Sequence, residues 1–309
     1  MRLTNPEVRV ETTNSCNAAC IMCPREKMER LEGVMDMELF KSIVLQCRDL
    51  GANRIFLGGF GEPLLDPYLI ERVRFVKNAN MFVNFISNGS LWNANITETL
   101  ISAGLDEVRF SFYGQNNEFY EKIHRGLSYN ATRQNLHTLF EIRNNLGRKN
   151  PVALIYFLAL EENRKMIESF RMEWEPIADF IEIWRPHNFG DGRNFRNVDS
   201  THKKETCGRP ENGPLQFQYD GTLIPCCYDY DGKMILGDIR KQSIPEILAG
   251  EAYQDLRVAH NKGDFSGHPY CENCDQLLER ADALIYTNRH QLPPKEAVLL
   301  SNSNHFQLK

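Results

Sequence analysis

The chain has 309 residues, 42% of them hydrophobic and 25% charged, with a formal net charge of −5. Those values are ordinary for a globular protein and supply enough apolar material for a large core in about two domains. The longest apolar run, residues 152–160, falls well short of the roughly 20 residues a membrane helix needs, and no signal-like stretch opens the chain. No long basic block accompanies the acidic balance, so broad nucleic-acid binding is not expected, and the reading is of a cytoplasmic protein with reduced thiols.

In chain order, residues 8–12 read as a short strand that enters a loop containing Cys16, Cys20 and Cys23. Residues 37–50 carry Leu39, Phe40, Ile43, Val44 and Cys47 at helical spacing. A strand is expected over 54–57, running into Gly58-Gly59-Phe60-Gly61-Glu62-Pro63, then a helix over 68–79. Strand 82–86 ends in Ser87-Asn88-Gly89, helix 97–103 is closed by Gly104, and strand 107–112 carries Ser111 near its end. Helix 130–146, strand 152–160, helix 163–174 and strand 180–184 follow. Six strand–helix repeats predict an α/β fold with a parallel sheet, because each parallel strand needs a crossover. A partial (β/α)6 barrel is the preferred architecture, with a doubly wound sheet as the other possibility. In either, chemistry gathers at the carboxyl ends of the strands.

The pattern changes near residue 190. Residues 190–194 read as a linker, and 214–219 with 222–225 as a hairpin around Asp220-Gly221. Helices are expected over 243–248, 253–260 and 275–286, ahead of a polar tail. The division expected is a barrel domain over 1–190, a small α+β domain over 191–290 and a tail over 291–309.

Nine cysteines call for an explanation other than disulfides. Cytosolic cysteine clusters usually hold metal or do catalysis. No cysteine lies between Cys47 and Cys207, which suggests two separate sites. Three thiols in Cys16-x3-Cys20-x2-Cys23 suit a 4Fe–4S cluster with one open iron; zinc with a distant fourth ligand is the alternative. Cys207, Cys226 or Cys227, and the pair Cys271–Cys274 could close around a second centre, zinc or iron–sulfur. Cys47 sits on the apolar face of its helix and reads as a core residue.

Over residues 8–185 the chain resembles the radical S-adenosylmethionine enzymes, with Glu11-Thr12-Thr13-Asn14-Ser15-Cys16-Asn17 and Cys23-Pro24 especially close. The resemblance implies that Cys16, Cys20 and Cys23 hold a 4Fe–4S cluster. Its open iron would chelate S-adenosylmethionine, which one electron cleaves to a 5′-deoxyadenosyl radical. It further implies that Gly59, Gly61 and Glu62 meet the methionyl amino group. Asn88 would contact the ribose, Ser111 and Arg125 other polar groups of the ligand, and Met22 the place of an aromatic residue against adenine. Residues 207–274 resemble the shortened SPASM, or twitch, domain, through Asp220-Gly221-Thr222-Leu223-Ile224-Pro225-Cys226-Cys227 and Leu236-Gly237-Asp238-Ile239. That implies one auxiliary 4Fe–4S cluster on Cys207, Cys226, Cys271 and Cys274.

Layout is similar to the small radical dehydrogenases of aminocyclitol pathways, which implies alcohol oxidation of a sugar or aminocyclitol, with the auxiliary cluster taking an electron. Such an oxidation needs a base, for which Arg185, His187, Asp229 and Asp231 are candidates by position, the two aspartates having loop solvation as their plainer role. Trp184, Tyr113 and Tyr228 are further candidate site residues. Epimerisation with Cys227 as hydrogen donor, peptide modification, and a non-catalytic zinc protein are the other readings. A flavodoxin or ferredoxin is the electron donor the family implies.

Overall fold

The computed structural model describes residues 1–191, 203–278 and 283–289. Six parallel strands, β1 (Glu7–Val10), β2 (Arg54–Leu57), β3 (Phe82–Ser87), β4 (Glu107–Ser111), β5 (Val152–Leu158) and β6 (Phe180–Trp184), pair in sequence order. Helices α1 (Met37–Asp49), α2 (Leu69–Asn78), α3 (Ala94–Ala103), α4 (Asn117–Ile123), α5 (Tyr129–Asn145) and α6 (Ile167–Trp174) make the crossovers. The period of two in each strand separates two environments. Val8, Ile55, Val83, Val108, Ile155 and Ile181 join one buried cluster with Phe40 and Val44 of α1, Leu100 of α3 and Trp174 of α6. The alternate positions are polar: Glu7, Arg54, Asn84, Glu107, Arg109 and Glu182 are all buried, yet lie on the face turned away from the helices. Those charges are paired, Arg109 Nε with Glu107 at 2.7 Å and Arg289 Nε with Glu182 at 3.0 Å, as buried charges must be. The six-unit sheet expected from the sequence is thus present, open rather than closed into a full barrel.

The cysteine-bearing segment does not stand apart from this sheet. Strand β7 (Leu215–Phe217) pairs parallel with β1, and β8 (Thr222–Ile224) and β9 (Gly237–Asp238) continue antiparallel beyond it. The hairpin expected at Asp220-Gly221, β7–β8, therefore lies next to the β9 edge of one ten-stranded sheet, ordered β10-β6-β5-β4-β3-β2-β1-β7-β8-β9. Helices α7 (Arg209–Asn212), α8 (Ile244–Ala249), α9 (Glu251–Lys262) and α10 (Pro269–Glu272) surround the hairpin. Ser243 begins α8 with a reciprocal capping box to Glu246.

Two elements differ from expectation. Where a helix is expected over 275–286, the described residues form a 3-10 turn, Asp275–Leu277, and a strand, β10 (Leu284–Thr287), antiparallel to β6, while 279–282 lie outside the described residues. Leu-Ile-Tyr-Thr favours extended structure, and β6 would otherwise be an unpaired edge. Helix α4 was not expected; Asn116 caps it through the Phe119 amide, a signal readable only once Asn116 is assigned as the cap. Part of the expected linker, residues 192–194, and the tail over 291–309 lie outside the described residues. No helix among the described residues is long and apolar enough to cross a membrane.

Candidate active site

The chain leaving β1 is buried through Glu11, Thr12, Thr13 and Asn14 and delivers Cys16, Cys20 and Cys23 at the carboxyl end of the sheet. Backbone bonds fix this loop from three sides. Met35 N donates to Thr12 O at 2.8 Å and Glu62 N to Ser15 O at 2.9 Å, while Ala19 N and Ile21 N donate to Arg125 O and Ile123 O at 2.9 and 3.0 Å. Burial pushes the Cys16 thiol up, and it pushes Cys20 up further, with Cys23 and Cys16 as facing thiols. Among the described residues no group of three or more cysteine, histidine, aspartate or glutamate side chains converges on a point fit for one metal ion. Three thiols on one short loop suit a 4Fe–4S cluster with one open iron.

The Gly58–Pro63 segment lies directly on this loop. A Cβ on Gly61 would fall 2.3 Å from Thr13 O and 2.8 Å from Ser15 O, and one on Gly59 would fall 2.3 Å from the Glu11 carboxylate. Only glycine permits that approach. Glu62 is 2% exposed. Burial pushes its carboxyl up to about 7, against hydrogen bonds from the Asn88 amide, Ser87 Oγ and the Leu64 amide. Asn88 sits beside it, donating to Asn17 Oδ1 at 2.9 Å and accepting from Ser90. Ser111 is half-buried and accepts from the Tyr113 hydroxyl at 3.0 Å. Arg125 keeps its guanidinium 58% exposed, 3.9 Å from Glu26, while its backbone carbonyl pairs with the cysteine loop. Met22 is buried against Ile123 and Leu160, with Cys20 and Tyr113 packed on the same cluster.

Two features of this site had no signal in the sequence. Arg30 forks onto Glu11, Nη1 to Oε1 at 2.7 Å and Nη2 to Oε2 at 3.0 Å, while its Nε donates to Tyr230 O at 2.8 Å. His124 is buried behind Cys20, with Nδ1 3.2 Å from Cys20 Sγ. Burial pushes its imidazole down.

The second cysteine group surrounds a small cavity lined by Cys207, Cys226, Cys271 and Cys274. Cys227 is half-buried and is not among the lining residues. Burial pushes Cys226 and Cys274 up strongly and Cys271 up to about 12. Arg209 lines the same cavity; burial opposes its charge, but the thiols of Cys227, Cys226 and Cys207 outweigh that and hold it protonated. Four thiols and a fixed cation around one void suit an anionic thiolate-held cluster.

An aromatic path joins the two sites. Phe60, in the glycine-rich segment, lies 6.0 Å from both Phe189 and Tyr230, and Phe189 lies 5.5 Å from Tyr228 on the cavity wall. His187 packs on Tyr228 at 5.5 Å, and Gln276 Nε2 lies 3.5 Å from its Nδ1. Arg185 is exposed at the end of β6, with its backbone amide bonded to Ala283 O. The two aspartates are not solvated loop residues. Asp229 is 1% exposed and accepts from the Lys233 and Met234 amides. Asp231 accepts from the Glu29 and Arg30 amides, tying the hairpin segment to the first loop. Both are buried because they terminate backbone donors that water does not reach.

The profile of the Radical SAM superfamily matches residues 10–172, and that of the SPASM iron–sulfur cluster-binding domain matches residues 207–275. The tungsten-containing aldehyde ferredoxin oxidoreductase cofactor-modifying protein of Pyrococcus furiosus is 29% identical over 86% of each chain. The S-adenosyl-L-methionine-dependent 2-deoxy-scyllo-inosamine dehydrogenase of Niallia circulans is 22% identical over 87% of this chain and 92% of its own. Among solved structures, BtrN in complex with AdoMet and 2-DOIA superposes with a TM-score of 0.62 at 20% identity, over 93% of this chain and all of that one. The chain belongs to the radical SAM superfamily and carries a SPASM domain, with S-adenosylmethionine, a 4Fe–4S cluster and an auxiliary iron–sulfur cluster as its cofactors.

Proposed function

We propose that this radical SAM enzyme oxidises an alcohol of a small sugar or aminocyclitol to a ketone. The observation that carries the reading is the auxiliary cavity, whose wall offers four thiols, Cys207, Cys226, Cys271 and Cys274. Four protein ligands leave no iron for substrate, which suits electron transfer rather than substrate binding. When bound, the cofactors supply a hydrogen-abstracting radical at the first site and a one-electron acceptor at the second.

The chain's own residues do the rest. Cys16, Cys20 and Cys23 hold the first cluster, and Cys207, Cys226, Cys271 and Cys274 the auxiliary one. Gly59 and Gly61 let the backbone close on the cysteine loop, and Glu62, Asn88, Ser111, Arg125 and Met22 form the wall for S-adenosylmethionine. The substrate sits between the first cysteine loop and the auxiliary cavity, beside the aromatic side chains of Phe60, Phe189 and Tyr228. His187, which packs on Tyr228, receives the carbinol proton. Arg185 lies on the rim and orients the substrate's polar groups. A flavodoxin or ferredoxin supplies the reducing electron.

A second reading is favoured by Cys227, a thiol outside the cavity lining: it is free to return hydrogen in an epimerisation. Incubation with carbinol-deuterated cyclitols and amino sugars separates the two. Oxidation gives 5′-deoxyadenosine carrying the deuterium and an equal amount of ketone. Epimerisation gives an isomer with one solvent hydrogen and no ketone. Turnover of a peptide with no cyclitol or sugar accepted would contradict both.

A further inference from the structure

We propose that His124 is a positioning residue for the first cluster: it donates an N–H hydrogen bond to the Cys20 thiolate and makes that cluster easier to reduce. The direction of the bond follows from the backbone. The Tyr113 amide donates to His124 Nε2 at 3.3 Å. An amide N–H can only donate, so Nε2 is the accepting nitrogen and the ring's proton is on Nδ1. Nδ1 lies 3.2 Å from Cys20 Sγ, and its N–H has that sulfur as its partner.

The chain holds this pair in register from several directions. Ala19 and Ile21 flank Cys20, and their amides bond to the carbonyls of Arg125 and Ile123, which flank His124. The imidazole is stacked between Tyr113 and Tyr120, each 4.7 Å away and inclined by 33° and 37°. It is 1% exposed, so no water competes for Nδ1. The His124 amide in turn bonds to Tyr120 O, closing α4. Sequence separation of 104 residues hides the pairing from any local reading.

The physical effect is on charge. Reduction adds one negative charge to a thiolate-held cluster, and a donor on a ligand sulfur stabilises that charge. Removing the donor disfavours reduction. The test compares His124→Asn, which retains an amide donor near the place of Nδ1, with His124→Leu, of nearly the same size and without a donor. Both are reconstituted anaerobically, and the midpoint of the first cluster is read by EPR-monitored redox titration without S-adenosylmethionine. The proposal expects a more negative midpoint for the leucine variant than for the asparagine variant and the unaltered protein, or retention of the cluster by asparagine alone. Equal midpoints in the two variants, or loss of the cluster from both, would overturn it and leave His124 as a packing residue.

Discussion

Arg30 is the point where the first cysteine loop, the glycine-rich segment and the hairpin segment meet, and its removal should be costly. Its guanidinium forks onto Glu11, with side-chain exposures of 9% and 3%, and Nε reaches Tyr230 O. Glu11 Oε2 also accepts from the Phe60 amide at 3.0 Å. Arg30→Met keeps the aliphatic length but strands the Glu11 carboxylate in a buried place with one donor left. Breaking a buried pair from one side costs about 3–5 kcal/mol, most of it the unpaired charge that remains. Glu11→Gln strands the arginine instead. In the double variant neither charge is left alone, so its loss should be smaller than the sum of the single losses by about 2 kcal/mol or more. Urea unfolding of the iron-free protein, followed by two probes to confirm a single transition, measures all three. A loss below about 1 kcal/mol for Arg30→Met, or strict additivity in the double variant, would refute the reasoning.

Cys226→Ala should halve the iron bound, whereas Cys227→Ala should leave it unchanged; iron and sulfide analysis decides, and the reverse result would exchange the two assignments. Gly61→Ala should abolish S-adenosylmethionine binding, because the new methyl group meets two backbone carbonyls rather than movable side chains. Equilibrium dialysis of the reconstituted variant measures this, and ordinary affinity would contradict it. Glu62 titrates near 7 when buried and near 4.5 when free, so the folded iron-free protein holds this proton more tightly than the unfolded chain. Its contribution is therefore complete below about pH 4.5 and declines as pH rises through 7, by about 3 kcal/mol in all. Glu62→Gln should flatten that part of the pH–stability curve, and identical slopes in both proteins would refute the assignment.

Local signals carried much of this structure. Six strand–helix repeats placed β1 to β6, Asp220-Gly221 placed the turn between β7 and β8, and the cysteine spacings separated the two sites. What was hidden depends on partners far away in the chain. Leu284–Thr287 reads equally as the end of a helix until β6 offers it an edge. Asp229 and Asp231 look like loop acids until the amides of Lys233, Met234, Glu29 and Arg30 turn toward them. The same holds for Arg30 with Glu11 and His124 with Cys20, where the pairing is made by the sheet and its crossovers rather than by spacing.

The most direct test of the account is the iron, acid-labile sulfide and zinc content of each chain after anaerobic reconstitution. Two 4Fe–4S clusters, one on Cys16, Cys20 and Cys23 and one on Cys207, Cys226, Cys271 and Cys274, require about eight irons and eight sulfides and no zinc. About four irons with one zinc would contradict it, because a zinc ion in the second cavity takes no electron and an alcohol oxidation would have no acceptor there.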